Sequence, residues 1–445
     1  MARRARRGHR VPRRFRRRPR ARLSTLAYRQ PVIPRQRRPA AARPDFPADD
    51  PRSRTDGLGW VARAVFPGPA LRLTVGNPEP SAIRYAVLPS LDDAKFLLPL
   101  ASRTVTAASV LAYNALRPPR VRATRAVIGG LARTGLLGLT RAPVLNVTGG
   151  PLLTDHLAGL LGVPRLHAAI GVRPPDPHHK PTLQLFDDQG RPQGYAKIGW
   201  SDGTRAMVRG EVAALTSLPA PAGDFPASPG LILHTTWQDR EVAVIAPMPR
   251  HVRRIRRPSR PRTAAMRAVA RVSEPRMPFV ESPFLAGWRR RCAGGALAGA
   301  VTPGATTVDD AIDALVDRDG DLDLDFGHWH GDWVPWNMGR HRGRLLVWDW
   351  ENSAPGVPLG FDLAHQHFQI ALSTRRLPAA ACADAVDAGL RKHGPALGLD
   401  PARQRFVADA YLIELWLRTY QLSHGADWNP RLHPALLDTL AARLA

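Results

Sequence analysis

The sequence predicts an α+β fold: a small antiparallel sheet carrying one helix, then a larger helical part, preceded by an extension and a basic tail. Three observations predict it. Short apolar stretches separated by turn signals run through residues 166–245, with one amphipathic segment among them. Helical periodicity takes over after Pro249. Residues 1–43 hold 17 arginines and no acidic residue. At 445 residues and 44% hydrophobic, the chain exceeds one ordinary domain and can bury a sizeable core.

Residues 1–50, rich in Arg, Pro and Ala without hydrophobic period, are expected to be a disordered tail. Their charge suits an arm for nucleic acid or anionic lipid, and equally a solvated tail or a start site assigned too far upstream. No aromatic interleaving or folded reader accompanies the arginines, so nucleic-acid binding is not expected. Residues 51–150 form an extension of unknown role, with strands at 71–75 and 83–87 and an apolar run at 96–100. Helices are expected at 107–116 and 125–137, on either side of the Pro118-Pro119 break. Residues 151–248 give strands at 166–172, 182–186 and 195–198, a helix at 204–218, and strands at 231–235 and 241–245. Residues 249–445 read as helical apart from a short strand pair near 324–349.

Composition excludes several classes. No run of about 18 uncharged apolar residues exists, so no membrane span is expected, and no apolar segment follows the arginines to make a secretory signal. Cys292 and Cys382 cannot build a disulfide framework or a zinc site by themselves, which places the chain in a reducing cytoplasm. Of the net charge of +27, 17 units belong to the tail. Lysine is limited to Lys95, Lys180, Lys197 and Lys392, so each of these draws attention.

The chemistry concentrates in His330-Gly331-Asp332-Trp333-Val334-Pro335-Trp336-Asn337, followed by the apolar strand Leu345-Leu346-Val347-Trp348 and Asp349. Phosphoryl transfer to a hydroxyl needs a carboxylate that orients the acceptor and takes its proton, and oxygen ligands that hold Mg²⁺ on the nucleotide phosphates. An Asp followed by an Asn five residues on can aim both into one cleft, and an Asp at the end of the next strand can complete a metal site.

The order HGDxxPxN, apolar strand, Asp resembles the catalytic core of the aminoglycoside phosphotransferase and choline kinase family, whose fold is the two-lobed protein-kinase-like one. The resemblance implies that Asp332 is the catalytic base, that Asn337 and Asp349 are metal ligands, and that His330 packs to support the loop. Gly360-Phe361-Asp362-Leu363-Ala364-His365 resembles the family's later segment, in which Asp362 would brace the loop. The family uses a strand lysine to grip the phosphates and a helix glutamate to hold it. Lys197 in the strand at 195–198 and Glu211 on the next predicted helix occupy those places. Ala246 to Met248 falls where main-chain groups would contact the base. The implied activity is transfer of the γ-phosphate of ATP or GTP, with Mg²⁺, to a hydroxyl of a small molecule.

The sequence departs from the family in one place. Between the strands at 166–172 and 182–186, where a glycine-rich loop would cover phosphates, stands Arg173-Pro174-Pro175-Asp176-Pro177-His178-His179-Lys180. This keeps open a second reading: a non-catalytic relative that binds a peptide or metabolite as a scaffold. Asp325-Phe326-Gly327 precedes the catalytic loop and is read as accidental. The aspartates from Asp317 to Asp325 lack the glycine and glutamate positions of a calcium loop. The tryptophans at 329, 333, 336, 348 and 350 read as packing around the cleft. From Arg250 to Arg276 ten arginines face one acid, Glu274, either as a solvated linker or as a docking surface for an acidic partner.

Overall fold

The structure is a computed structural model that describes residues 57–77, 82–112, 117, 119–136, 142–173, 179–255, 260–272, 275–293, 307–423, 432 and 435–445. The expected tail, 1–50, and residues 174–178 of the proline-rich loop lie outside them.

The first part of the chain gives α1 (Gly57–Val65), β1 (Arg72–Gly76), β2 (Ile83–Leu88), β3 (Phe96–Pro99), α2 (Arg103–Leu111), α3 (Pro119–Thr134), β4 (Val144–Thr148) and α4 (Leu153–Leu160). It continues with β5 (His167–Gly171), β6 (Thr182–Phe186), β7 (Pro192–Gly199), α5 (Asp202–Ser217), β8 (Leu231–Trp237) and β9 (Arg240–Ile245). All nine strands join one sheet in the order β1-β4-β2-β3-β5-β6-β7-β9-β8, every neighbouring pair antiparallel.

The sheet is therefore not the small one that the sequence suggests. β3 pairs with β5 through Phe96↔Gly171 and Leu97↔Ile170, which makes the strands of the extension continuous with those downstream. The pairing is driven by burial. Tyr85, Val87, Leu97, Leu145 and Val147 join Ile170, Leu185, Ile198, Val242 and Val244 in one core under α1 and α4. Each such side chain stabilises the fold by roughly 1.5–3 kcal/mol. A strand's unpaired edge leaves no mark in the sequence, so this join could not be read there. α1, β4 and α4 were also invisible: GLGWVARAV carries two glycines, and VLNVT and LTDHLAGL are too short to declare a period. α3 starts at Pro119, where a break was expected, because proline is tolerated in the first helical turn.

α5 is set by a capping box, with the Ser201 and Thr204 side chains each accepting from the other's backbone N–H. Its buried positions are Thr204, Met207, Val208 and Glu211, one face at spacings of three and four. Glu211 thus lands on the face that packs against β7 and β9. Ala214, Leu215 and Leu218, further along the same helix, pack against a second core.

That second core belongs to the helical remainder: β10 (Arg253–Arg254), α6 (Thr263–Ala270), β11 (Met277–Pro278), α7 (Pro283–Ala293), α8 (Val308–Asp319), β12 (Asp323–Leu324), β13 (Phe326–Trp329), β14 (Met338–His341), β15 (Arg344–Val347), β16 (Ala354–Pro358), α9 (Phe361–Gln369), α10 (Ala379–His393), α11 (Pro401–Ser423) and α12 (Ala435–Leu444). Trp288, Trp333, Trp350, Phe361, Phe406 and Tyr411 are among its largest fully buried side chains. Three small sheets, β10-β14-β15, β11-β12 and β13-β16, replace the single strand pair expected there. The β14–β15 hairpin turns through Arg342 and Gly343 at φ 48° and 84°, the two positive values that a tight hairpin turn requires. Its register sets Met338 opposite Val347, so the residues just outside that pair, Asn337 and Trp348, meet through Trp348 N–H to Asn337 O at 3.1 Å. Among the described residues, no helix is long and apolar enough to cross a membrane.

Candidate active site

The loop from His330 to Asn337 leaves β13 and enters β14, and its shape is imposed from three sides. Gly331 sits at φ 77°, and a Cβ there would collide with the carbonyl of Asn352. Asp362, in the first turn of α9, accepts the N–H groups of His330 at 2.8 Å and Gly331 at 3.1 Å. Arg418 of α11 donates to the Gly331 carbonyl at 2.7 Å and lies over the Trp329 ring.

His330 is fully buried and bridges the two halves of the site. Its Nε2–H donates to Trp348 O at 3.1 Å, while Nδ1 accepts the Asp332 N–H at 3.1 Å. Both bonds need the neutral ring. Burial lowers its pKa from 6.5 to about 4, against the pull of Asp332 and Asp349. The unfolded chain would take up this proton near pH 6.5, so the neutral ring stabilises the fold above that pH and loses its contribution as pH falls towards 4. At about 1.4 kcal/mol per unit, the loss is on the order of 3 kcal/mol. Asp362, raised to about 7 by burial despite its two N–H donors, acts in the opposite sense over the same window. The informative measurement is therefore the difference between wild type and His330→Asn in denaturation midpoint from pH 7 to 4.5. The wild type should lose more; parallel curves would show that the native ring protonates as readily as the unfolded one.

Asp332 has both carboxylate oxygens engaged, Oδ1 by His365 Nε2 at 2.9 Å and Oδ2 by Asn337 Nδ2 at 2.7 Å. Burial opposes its ionisation, but the hydrogen bond from His365, with the influence of His330 and Arg418, outweighs it and holds the carboxyl below its ordinary range. Asp349 follows β15 with φ 65°, a left-handed conformation that Asp tolerates better than most residues.

Across the cleft, Lys197 of β7 reaches Glu211 Oε1 and Oε2 at 2.7 and 2.6 Å and Asp349 Oδ1 at 2.6 Å. Three residues chosen from separate stretches of the sequence therefore meet at one ammonium group. Burial disfavours the charge on Lys197, but Asp349, Glu211 and Glu351 together raise its pKa, so it stays an ammonium. Glu211, with 1% of its side chain exposed, is pushed up by burial and by the neighbouring carboxylates while Lys197 pulls it down.

Glu351 is a member of the cluster that the sequence did not reveal. It binds Lys180 at 2.9 Å and stands 3.7 Å from Lys197. Its position two residues after Asp349 was the available signal. Lys180, at the end of the proline-rich loop, is buried. His365 and Tyr411 were also missed, although His365 lies three residues after Asp362 on one helix face. The cluster of Lys180, Lys197, Glu211, Asp349 and Glu351 sets three carboxylates against two ammonium groups, an excess of negative charge suited to a cation. Among the described residues no group of three or more His, Cys, Asp or Glu side chains is arranged as a metal site. Two hard oxygen donors, an Asn carbonyl and one carboxylate, suit Mg²⁺ that takes its remaining ligands from phosphates and water.

The other expected residues fall outside this cluster. Ala246 follows β9 and spends its N–H on Gly230 O at 2.8 Å, and Met248 lies two residues on, half-buried. Asp325 is paired with Arg276 at 3.0 Å. Asp319 is taken by Arg318 at 2.8 Å and by Arg405 at 3.3 Å. A cavity of about 500 Å³ lined by Val280 and residues 316–322 contains none of the cleft's side chains. Trp329, Trp333 and Trp350 are buried, and Trp336 is half-exposed. Arg253 stands directly opposite Arg340 across β10 and β14.

No protein-family model and no curated protein matches the chain. Among solved structures it is similar to a thermostable mutant of aminoglycoside phosphotransferase APH(4)-Ia in ternary complex with ADP and hygromycin B. The identity is 13% over 64% of this chain and 98% of that one, with a TM-score of 0.41. Choline kinase LicA from Streptococcus pneumoniae is similar at 12% identity over 66% and 97%, with a TM-score of 0.40. These are structures of the group that the loop motif resembles. At TM-scores below 0.5 the likeness carries no functional weight, and the chemistry has to come from the cleft's own side chains.

Proposed function

We propose that the chain is a phosphotransferase of the kinase-like class. More particularly, it moves the γ-phosphate of ATP or GTP to a hydroxyl of a small molecule. The observation that supports this best is the convergence of Lys197, Glu211 and Asp349 at 2.6–2.7 Å, joined through Trp348 and His330 to the loop that holds Asp332. In this reading the strands and helix of 151–248 make the first lobe, whose sheet the extension continues through β3 and β5, and the helical core makes the second. The parts are 1–50, a tail; 51–150, an extension; 151–248, the first lobe; and 249–445, the second.

Lys197 grips the nucleotide phosphates while Glu211 fixes its position. With Nδ2 turned to Asp332, Asn337 presents Oδ1 as a ligand, and with Asp349 it would hold Mg²⁺, which neutralises phosphate charge when bound. Ala246 keeps its carbonyl, and Met248 its main chain, for the base. Asp332 orients the acceptor hydroxyl and takes its proton. Its depressed pKa makes it a weak base, which suits a loose transition state in which the hydroxyl loses its proton late. An acidic acceptor or partner would meet Arg253 and Arg254 of β10, paired with β14, the strand that this loop enters, with Arg340 directly opposite Arg253.

Thermal melting with and without Mg–ATP or Mg–GTP tests the reading. A ligand at a hundred times its Kd stabilises by about 2.7 kcal/mol. The upward shift should need Mg²⁺ and should be lost in Asp349→Asn, a substitution that the left-handed backbone accepts. No shift at millimolar nucleotide would favour the scaffold.

A further inference from the structure

We infer that His365, held in one tautomer by Tyr411, is a positioning residue that sets the carboxylate of Asp332, an inference that rests on the phosphotransferase reading. His365 lies on α9, one helical turn from Asp362, and the two divide the work. Asp362 holds the loop's main chain through the N–H groups of His330 and Gly331. His365 holds the reacting side chain, with Nε2 2.9 Å from Asp332 Oδ1. An ionised carboxylate has no hydrogen to give, so Nε2 must carry it. Nδ1 is then the acceptor, and the Tyr411 O–H donates to it at 3.0 Å. Tyr411 is fully buried and His365 is 1% exposed, so water does not compete for either bond.

The charged and titratable groups around the pair are Asp332 and His330 of the loop, Asp362 of the same helix, Tyr411 and Arg418 of α11, and Cys382 of α10. Burial, with Arg418, lowers the His365 pKa despite the pull of Asp332, and burial keeps the Tyr411 phenol protonated. A neutral donor can fix the rotamer without placing a full positive charge beside the base. With Asn337 on the other oxygen, the carboxylate is held by two elements and has one orientation left.

The test uses the full chain and slow Mg–ATP hydrolysis, with water in place of the acceptor hydroxyl. His365→Ala should lower kcat about a hundredfold, the scale of a misplaced catalytic group, with Mg–ATP affinity unchanged. His365→Gln, whose amide N–H can reach the same oxygen, should recover most of the loss. Nitrogen NMR of the imidazole should show the neutral Nε2–H form in wild type and mixed tautomers in Tyr411→Phe. Unchanged turnover in His365→Ala, equal losses in the Ala and Gln variants, or an Nδ1–H ring would each overturn the inference alone. A wild type that neither binds nor hydrolyses Mg–ATP or Mg–GTP would overturn the phosphotransferase reading, and this inference with it.

Discussion

Replacing Asp332 by asparagine is expected to lower phosphoryl transfer by roughly two to four orders of magnitude, the scale of a lost acid–base group, with Mg–nucleotide affinity nearly unchanged. The separation follows from where the groups lie. Asp332 is tied to His365 and Asn337, whereas the Lys197 ammonium is tied to Glu211 and Asp349. Interactions that strengthen only as the transition state forms affect turnover more than binding. The variant should fold, because the amide keeps an oxygen for one of the two donors that face it, His365 or Asn337, and only the other loses its acceptor, at a side chain 31% exposed. Nucleotide binding by calorimetry and turnover by phosphate release give the two numbers. A variant that turns over at the wild-type rate would remove Asp332 from the role of base.

The second large effect is on stability. Lys197→Met should cost about 3–5 kcal/mol, the usual result of removing one partner from a buried ion pair. Glu211 would remain buried with Asp349 and Glu351 nearby and Lys180 as the cluster's remaining cation. Adding Glu211→Gln should restore much of the loss, because the unpaired charge goes with it. The double mutant should still fail to bind Mg–nucleotide, since Lys197, the proposed phosphate grip, is gone. Denaturant melts of the wild type, both single mutants and the double give the coupling energy. Additive losses would show that the two residues do not act on one another in solution.

The extent to which these expectations were legible in the chain depends on how local each signal is. The loop from His330 to Asn337 declares itself because Gly331, Asp332 and Asn337 act within a few residues of one another, and β15 can be read from the apolar residues Leu345 to Trp348 that precede Asp349. The capped helix α5 could be read from its apolar spacing, and Glu211 was noticed because the resemblance calls for a glutamate on the helix after the lysine strand. Glu351 offered only its place two residues after Asp349, and Tyr411 offered nothing. Their importance comes from Lys180, 171 positions earlier, and from His365, 46 positions away.

By itself the sequence determined which residue types could perform phosphoryl transfer and the order in which the chain presents them, because turns, strand alternation and helix caps are encoded over a few neighbours. The tertiary structure alone decided that β3 joins β5, so that the extension belongs to the nine-stranded sheet. It alone decided that Lys180 and Glu351 enter the cleft. It alone also put both oxygens of Asp332 under the control of groups on different elements. Strand-edge pairing and the neutralisation of buried charge depend on what the rest of the chain brings within about 3 Å, and distance along the sequence says nothing about that.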